Sequence, residues 1–274
     1  MSYREVSKRM DKDLYPDLAE AGGLHLALEQ ELRKQKSQLA VDTVEHFIPY
    51  AHVRQDARSS QVFIIAYERL FLFYFWNQGV SYGSGTCTLL WQVAQAIRYW
   101  IEEKPTIAGM AERYDWFQPN EQAKAHEAGE LVDLQWRRLL DSWKNDKWEL
   151  AASVAELIEV ASHHPELRQL YPFTSLTRVC FSRTTGYPFA DDCPHAEPVR
   201  PGWFRAYSAK CRIEVKSREG HEWKEAVYDV LGEGTAEEVI DLLIANLPID
   251  CGPAFNGTAD DLAGAAKDAN QAGE

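Results

Sequence analysis

Arg69–Trp100 reads RLFLFYFWNQGVSYGSGTCTLLWQVAQAIRYW. From Leu70 to Trp76 it is apolar at every position and rich in aromatic residues. That pattern predicts a central β-strand covered on both faces, because a strand with one wet side would alternate. Its second half predicts a helix from about Thr88 to Glu102, with Val93, Ala94, Ile97, Trp100 and Ile101 on one face and Pro105 ending it. Between the two lies Gly83-Ser84-Gly85-Thr86, which poses the question of a phosphate cradle. A dinucleotide fingerprint would need glycine where Thr88 stands and an acidic residue closing the next strand, but Glu102 and Glu103 fall at a helix end. A phosphate loop would need Gly-Lys-Ser/Thr, which is absent. The stretch is therefore read as a strand-to-helix joint, with glycines for an unusual backbone and threonine as the cap.

Working outward, "YPDLAEAGGLHLALEQELRKQ" predicts a helix interrupted or delayed by Gly22-Gly23, and "VEHFIPYAHVR" and "SQVFIIAYE" predict strands. Downstream, "YDWFQPNEQ" has turn character and is the best internal boundary, followed by one long helix over 123–147 and another over 149–162 ending at His163-His164-Pro165. "LTRVCFSR" predicts a strand, "TTGYPFADDCPHAEPVRPG" a long proline-rich loop, and "WFRAYSAKCRIEVKS" and "EWKEAVYDVL" two more strands. Gly232-Glu233-Gly234-Thr235 then precedes a helix as Gly83–Thr86 does, with Thr235 and Glu238 spaced as a capping box. The expected fold is α+β, built from mainly antiparallel sheets with packed helices and two related strand-GxGT-helix halves. Its divisions are a flexible N-terminus (1–13), an N-terminal half (14–118), a C-terminal half (119–251) and a disordered tail (252–274) of small and polar residues.

The 274 residues carry a formal net charge of −13, which argues against nucleic-acid binding and against an anionic membrane surface. The start has no apolar signal core, no run reaches membrane-spanning length, and the five cysteines contain no CxxC pair, so a cytoplasmic location with free thiols is expected.

Chemistry concentrates in three places. Cys87 at the expected first turn of a helix is either a reactive thiol or a small buried residue. Asp191, Asp192, Cys193, His195 and Glu197 crowd the proline-rich loop, where Asp192 and His195 are the candidates for moving protons. The same loop is either a solvated connection or, less in keeping with known ligand spacings, a metal site, and neither a metal nor a cofactor is expected. Arg178 and Arg183 are the candidates for holding an anionic group, the alternative being ion pairs with some of the 42 acidic residues. Tyr187 and Trp203 are candidates for lining an aromatic pocket.

The stretches "FLFYFWNQGVSYGSGTCTLLWQVAQAIRYWI", "QWRRLL" and "HPELRQLYPFTSLTRVCFSRTTGYP" resemble a bacterial family of domains of unknown function commonly labelled natural-product biosynthesis proteins. The resemblance covers about Leu14 to Pro248, is most specific over Pro165–Pro188, and does not extend to Cys87 or Cys180. It implies a role in specialised metabolism and carries over no catalytic residue. The expected function is a cofactor-independent enzyme that cyclises, isomerises or eliminates on a small or peptidyl intermediate. The other class is an interaction module for a precursor peptide, carrier protein or partner enzyme.

Overall fold

The computed structural model describes residues 11–44, 50–218 and 221–264, so residues 1–10 of the N-terminus expected to be flexible lie outside the described residues, as do 265–274. The chain divides into two compact units, Met1–Ala128 and Gly129–Glu274.

Unit 1 begins with α1 (Pro16–Ala21) and α2 (Leu24–Lys34), divided by Gly22 and Gly23 at φ +91° and +140°. An antiparallel meander follows, β1 (Val41–Val44), β2 (Tyr50–Gln55), β3 (Arg58–Ile64), β4 (Phe71–Asn77) and β5 (Val80–Cys87), with the two-residue β6 (Gln118–Pro119) on its edge. Then come α3 (Leu90–Arg98), α4 (Ile107–Arg113) and α5 (Glu121–Ala128). β4 is central, as expected, but its burial alternates: Phe71, Phe73 and Phe75 are fully buried while Leu72, Tyr74 and Trp76 are only half-buried. The run is apolar throughout, yet only one side of it belongs to the core.

That core is closed by Trp100, which is fully buried against Phe75 and Tyr82 and whose Nε1 donates to the carbonyls of Ser59 and Trp76 at 3.2 Å each. The Arg58 guanidinium lies 4.0 Å from the centre of the same indole.

The Gly83–Thr86 joint is not where the sequence placed it. Gly83 and Gly85 lie inside β5, paired with Phe75 and Phe73, at ordinary backbone angles, and the helix starts at Leu90 with no side-chain cap. The glycines make room for the returning segment. A Cβ on Gly83 would stand 2.5 Å from the Gln118 carbonyl and 2.6 Å from the Phe117 ring, and one on Gly85 would stand 2.5 Å from the Trp116 ring. "YDWFQPNEQ" is thus an edge-closing strap of unit 1, and the units divide only at Gly129. Gly129, at φ +75°, also breaks the long helix expected over 123–147 into α5 and α6 (Leu131–Asn145). L-residues rarely adopt that conformation, so helical periodicity on both sides does not make one helix.

Unit 2 packs α6, α7 (Ala151–Ser162), α8 (Pro165–Arg168) and α9 (Ala236–Ala245) with a second antiparallel meander: β7 (Tyr171–Ser175), β8 (Arg178–Ser182), β9 (His195–Arg200), β10 (Trp203–Arg218) and β11 (His221–Gly234). Val154, Leu157 and Ile158 of α7 and Val239, Ile240 and Leu243 of α9 form one buried cluster with Val179, Phe181, Ala196, Phe204 and Ala206 of the sheet. Here the glycine joint holds: Thr235 caps α9, accepting from Glu238 N–H at 3.4 Å while Glu238 Oε2 accepts from Thr235 N–H at 2.9 Å. Both units run helices, an antiparallel meander with a glycine-bearing strand, β5 or β11, and then a helix, but unit 1 adds β6 and its strand does not end in a capped GxGT joint.

Two further expectations are corrected. "HAEPVR" is strand β9 instead of loop; β9 meets β8 only at Val179↔Ala196, so Pro198 falls where that ladder is not continued, the setting in which a strand tolerates proline. Residues 252–264 do not behave as disordered tail. Phe255 N–H donates to Arg183 O at 2.8 Å, Gly186 N–H to Gly257 O at 2.8 Å and Ala259 N–H to Pro188 O at 2.8 Å. Small polar residues suit this return because the segment is held by backbone hydrogen bonds and needs few apolar side chains.

Gly83→Ala and Gly85→Ala should each cost about 1–3 kcal/mol by overpacking, read as a lower denaturation midpoint. Gly129→Ala, with nothing within 4 Å of its Cβ position, should cost about 1–2 kcal/mol, through backbone strain alone. A neutral Gly83→Ala would contradict the close approach of the strap.

Candidate functional site

The site is built by strand register. Val179 and Ala196 pair across β8 and β9 and point into the core, so their neighbours Arg178, Cys180, His195 and Glu197 all point to the opposite face, away from the unit 2 helices packed in that core. β10 continues both rows, Tyr207 opposite His195 and Arg205 opposite Glu197, and β11 adds Glu233 opposite Arg205. A cross-strand ladder of alternating charge results: Arg178, Glu197, Arg205, Glu233. Arg178 Nε lies 3.8 Å from Glu197 Oε2, and Arg205 Nε donates to Glu233 Oε1 at 2.6 Å. Trp203 Nε1 donates to Glu233 Oε2 at 3.3 Å, which places Trp203 at the end of the ladder.

Beside the ladder, His195 is buried and sandwiched by aromatic rings. It stacks on Tyr207 with ring centres 5.3 Å apart and meets Tyr228 edge-on at 4.5 Å. The Tyr207 hydroxyl donates to Glu197 Oε1 at 2.6 Å, and Arg178 lies over the Tyr228 ring at 5.0 Å. Burial, helped by the nearby Arg178 charge, pulls the His195 imidazole down to about 4, so it is neutral around pH 7. Burial also pushes the Cys180 thiol up to about 12, against the pull of Arg178, which makes it a packing residue and not a nucleophile. Two buried polar atoms of the cluster, Arg178 Nε and His195 Nε2, have no hydrogen-bond partner. Such atoms are uncommon in folded proteins.

The structure thus brings His195 and Arg178 together, puts Trp203 at the far end of the ladder beside Glu233, and pairs Asp192 and Arg183 elsewhere. Those two bind each other, with Arg183 Nε and Nη2 donating to Asp192 Oδ2 at 2.8 and 2.5 Å, and no hydrogen bond joins Asp192 to His195. Arg168 is likewise paired with Asp133 at 2.6 Å. Tyr187 is exposed and touches Phe189 edge-on at 5.9 Å. Cys87 ends β5 instead of opening the helix; its thiol donates to Gln92 Oε1 at 2.9 Å and accepts from Leu89 N–H at 3.4 Å, the bonding of a small buried turn residue. The residues not singled out from sequence are Glu197 as a site residue, Tyr207 and Tyr228. Alternation along "HAEPVR" and "WFRAY" put Glu197 with His195 and Tyr207 with Arg205, but only the pairing register joins the two sets.

Among the described residues no group of three or more His, Cys, Asp or Glu side chains is arranged to hold a metal ion, and no helix is long and apolar enough to cross a membrane. Residues 130–258, which lie in unit 2 and contain the whole cluster, match the model of a family of unknown function (DUF6193). The match leaves unit 1 outside it, where the resemblance read from sequence began at Leu14. No curated protein and no solved structure matches the chain.

A histidine whose folded pKa lies near 4 and whose ordinary value is 6.5 takes up its proton in the unfolded chain first. Stability is therefore intact above pH 6.5 and is lost as pH falls from 6.5 towards 4, by on the order of 3 kcal/mol at most. Denaturation midpoints across that window should fall less steeply in His195→Gln than in the parent, and an imidazole titrating near 6.5 by NMR would refute the assignment.

Proposed function

We propose, on the premise that a family of unknown function lends no reaction to its members, that unit 2 binds a small or peptidyl intermediate by an anionic group. It then acts on that intermediate as a cofactor-independent enzyme through acid–base chemistry. The observation that supports this reading is that two buried atoms on one sheet face, Arg178 Nε and His195 Nε2, lack a hydrogen bond, Arg178 Nε lying 3.8 Å from Glu197 Oε2. A carboxylate or phosphate would accept from Arg178, which already carries the charge such a group needs. The cost of leaving those atoms unpaired would then be recovered on binding.

Glu197 is the base in this reading in place of Asp192, because its strand register puts it on the His195 side of the sheet. Its carboxylate is positioned by the Tyr207 hydroxyl and faces the same side of the sheet as His195. His195 serves here as a donor: a neutral imidazole in the Nε2–H tautomer donates to an oxygen that gains negative charge as Glu197 removes a proton. Proton removal beside a carbonyl is the step common to isomerisation, elimination and many cyclisations, and it requires no cofactor. A role in specialised metabolism is consistent with that chemistry.

The interaction-module reading has separate support in the β10–β11 ribbon, which runs beyond β9 and carries Ile213 and Val215 at 59% and 63% exposure. A binding arm of that kind suits a carrier protein or precursor peptide.

Pyruvate and inorganic phosphate serve as probes. Saturable shifts of the His195 and Tyr228 ring signals are expected with one of them and should be absent with neutral acetamide. Arg178→Gln should abolish the response while leaving the circular dichroism unchanged. In incubations with pathway intermediates followed by mass spectrometry, Glu197→Gln and His195→Ala should each slow turnover by roughly 10²-fold or more. Binding that survives Arg178→Gln, or turnover indifferent to Glu197→Gln, would remove the corresponding role.

A further inference from the structure

The C-terminal segment 248–258 returns onto the connection between β8 and β9. Ala254 N–H donates to Gln169 O at 2.9 Å, Phe255 N–H to Arg183 O at 2.8 Å and Thr185 N–H to Phe255 O at 3.0 Å, with Thr184 and Phe255 paired as a parallel bridge. This return carries Cys251 to Cys193, two cysteines that lie far apart in the sequence. Cys193 belongs to the buried core cluster of unit 2, with its thiol donating to Asp192 Oδ1 at 3.9 Å; Cys251 is half-buried, packs against that cluster, and is near enough to Cys193 for each thiol to shift the other's ionisation. Gln169 Nε2 anchors the Cys251 carbonyl at 3.3 Å. Arg183, fixed by its pair with Asp192, has its charge close to both sulfurs.

We propose that Cys251 and Cys193 form a reactive dithiol. Cys251 attacks hydroperoxides and Cys193 resolves the product, closing a reversible disulfide between the C-terminal segment and the β8–β9 connection. The geometry separates the two roles. Cys251 is the more accessible sulfur; the neighbouring Cys193 thiol and the Arg183 charge hold its thiol below the usual range, against burial and Asp192. The closeness of Cys251, together with burial, pushes the Cys193 thiol up, so it stays protonated until needed. In the first step the Cys251 thiolate displaces hydroxide from the hydroperoxide, giving a sulfenic acid. In the second, Cys193 loses its proton and its sulfur attacks that of Cys251, expelling the hydroxyl as water. Two thiols are oxidised to one disulfide and one hydrogen peroxide is reduced to two waters. External dithiol reverses the change. Cys87, held by Gln92, and the exposed Cys211 have no second sulfur in contact and serve as internal references. The dithiol stands whether or not the Arg178–His195 cluster binds a ligand.

The test uses the full chain with one equivalent of hydrogen peroxide at pH 7, alkylation after denaturation, and peptide mapping without reduction. The expected result is a loss of two of the five free thiols per chain, a peptide linked through Cys193 and Cys251, and full recovery of thiols with dithiothreitol. Cys193→Ser should leave Cys251 as a sulfenic acid trapped by dimedone, and Cys251→Ser should protect Cys193 from oxidation. The parent protein alone suffices if a variant does not fold. Recovery of both cysteines alkylated while Cys211 is oxidised, or linkage through another pair, overturns the proposal.

Discussion

One backbone pairing, Val179 opposite Ala196, holds the candidate site together. It is the whole of the contact between β8 and β9 as a ladder, and it fixes which side of each strand sees the core. Val179 and Ala196 enter the cluster beneath α7 and α9, so Arg178 and His195 must leave it. Side chains on a strand alternate, and a slip of one residue would bury Arg178 among aliphatic groups and expose Val179. The penalty for burying that charge unpaired enforces the register. The face that results is unusual for its mixture: a ladder of alternating charge beside a buried imidazole between two tyrosines.

The electrostatics of that face follow from the same arrangement. Glu197 is hydrogen-bonded by Tyr207 and faces Arg178, so its charge has partners on both sides. His195 has a cation as neighbour and rings above and beside it, a setting in which protonation is opposed by both desolvation and repulsion. The face thus holds its histidine neutral and leaves Arg178 Nε and His195 Nε2 without a hydrogen bond.

Bare backbone serves packing in both units. Gly83 and Gly85 let the strap at 116–118 lie directly on β5, and Gly232 gives the same room to Leu242, whose Cδ1 would stand 2.7 Å from an added Cβ. The two GxGT stretches look alike in sequence because each lies in the last long strand before a covering helix. They differ in the cap, which Thr235 provides for α9 and Thr86, still inside β5, does not provide for the first helix.

The sequence by itself determined the class of the fold and most of its elements: periodicity marks α7 and α9, the Thr235–Glu238 spacing marks a capping box, and aromatic runs mark β4. These are local properties, set by residues a few positions apart, and they survive folding unchanged. It also marked Arg178, Arg183, Asp192, His195, Tyr187, Trp203 and Cys87 as chemically interesting, because arginine binds anions, imidazole titrates near neutrality and aromatic rings line pockets. The tertiary structure decided their company. Asp192 turned to Arg183, Glu197 and Tyr207 took its place beside His195, and Cys251 came to Cys193 from the far end of the unit. Each of these is a contact between strands or segments distant in the chain, and register, not composition, selects it. The break at Gly129 shows the same limit at shorter range, since one positive φ outweighs the helical pattern on either side of it.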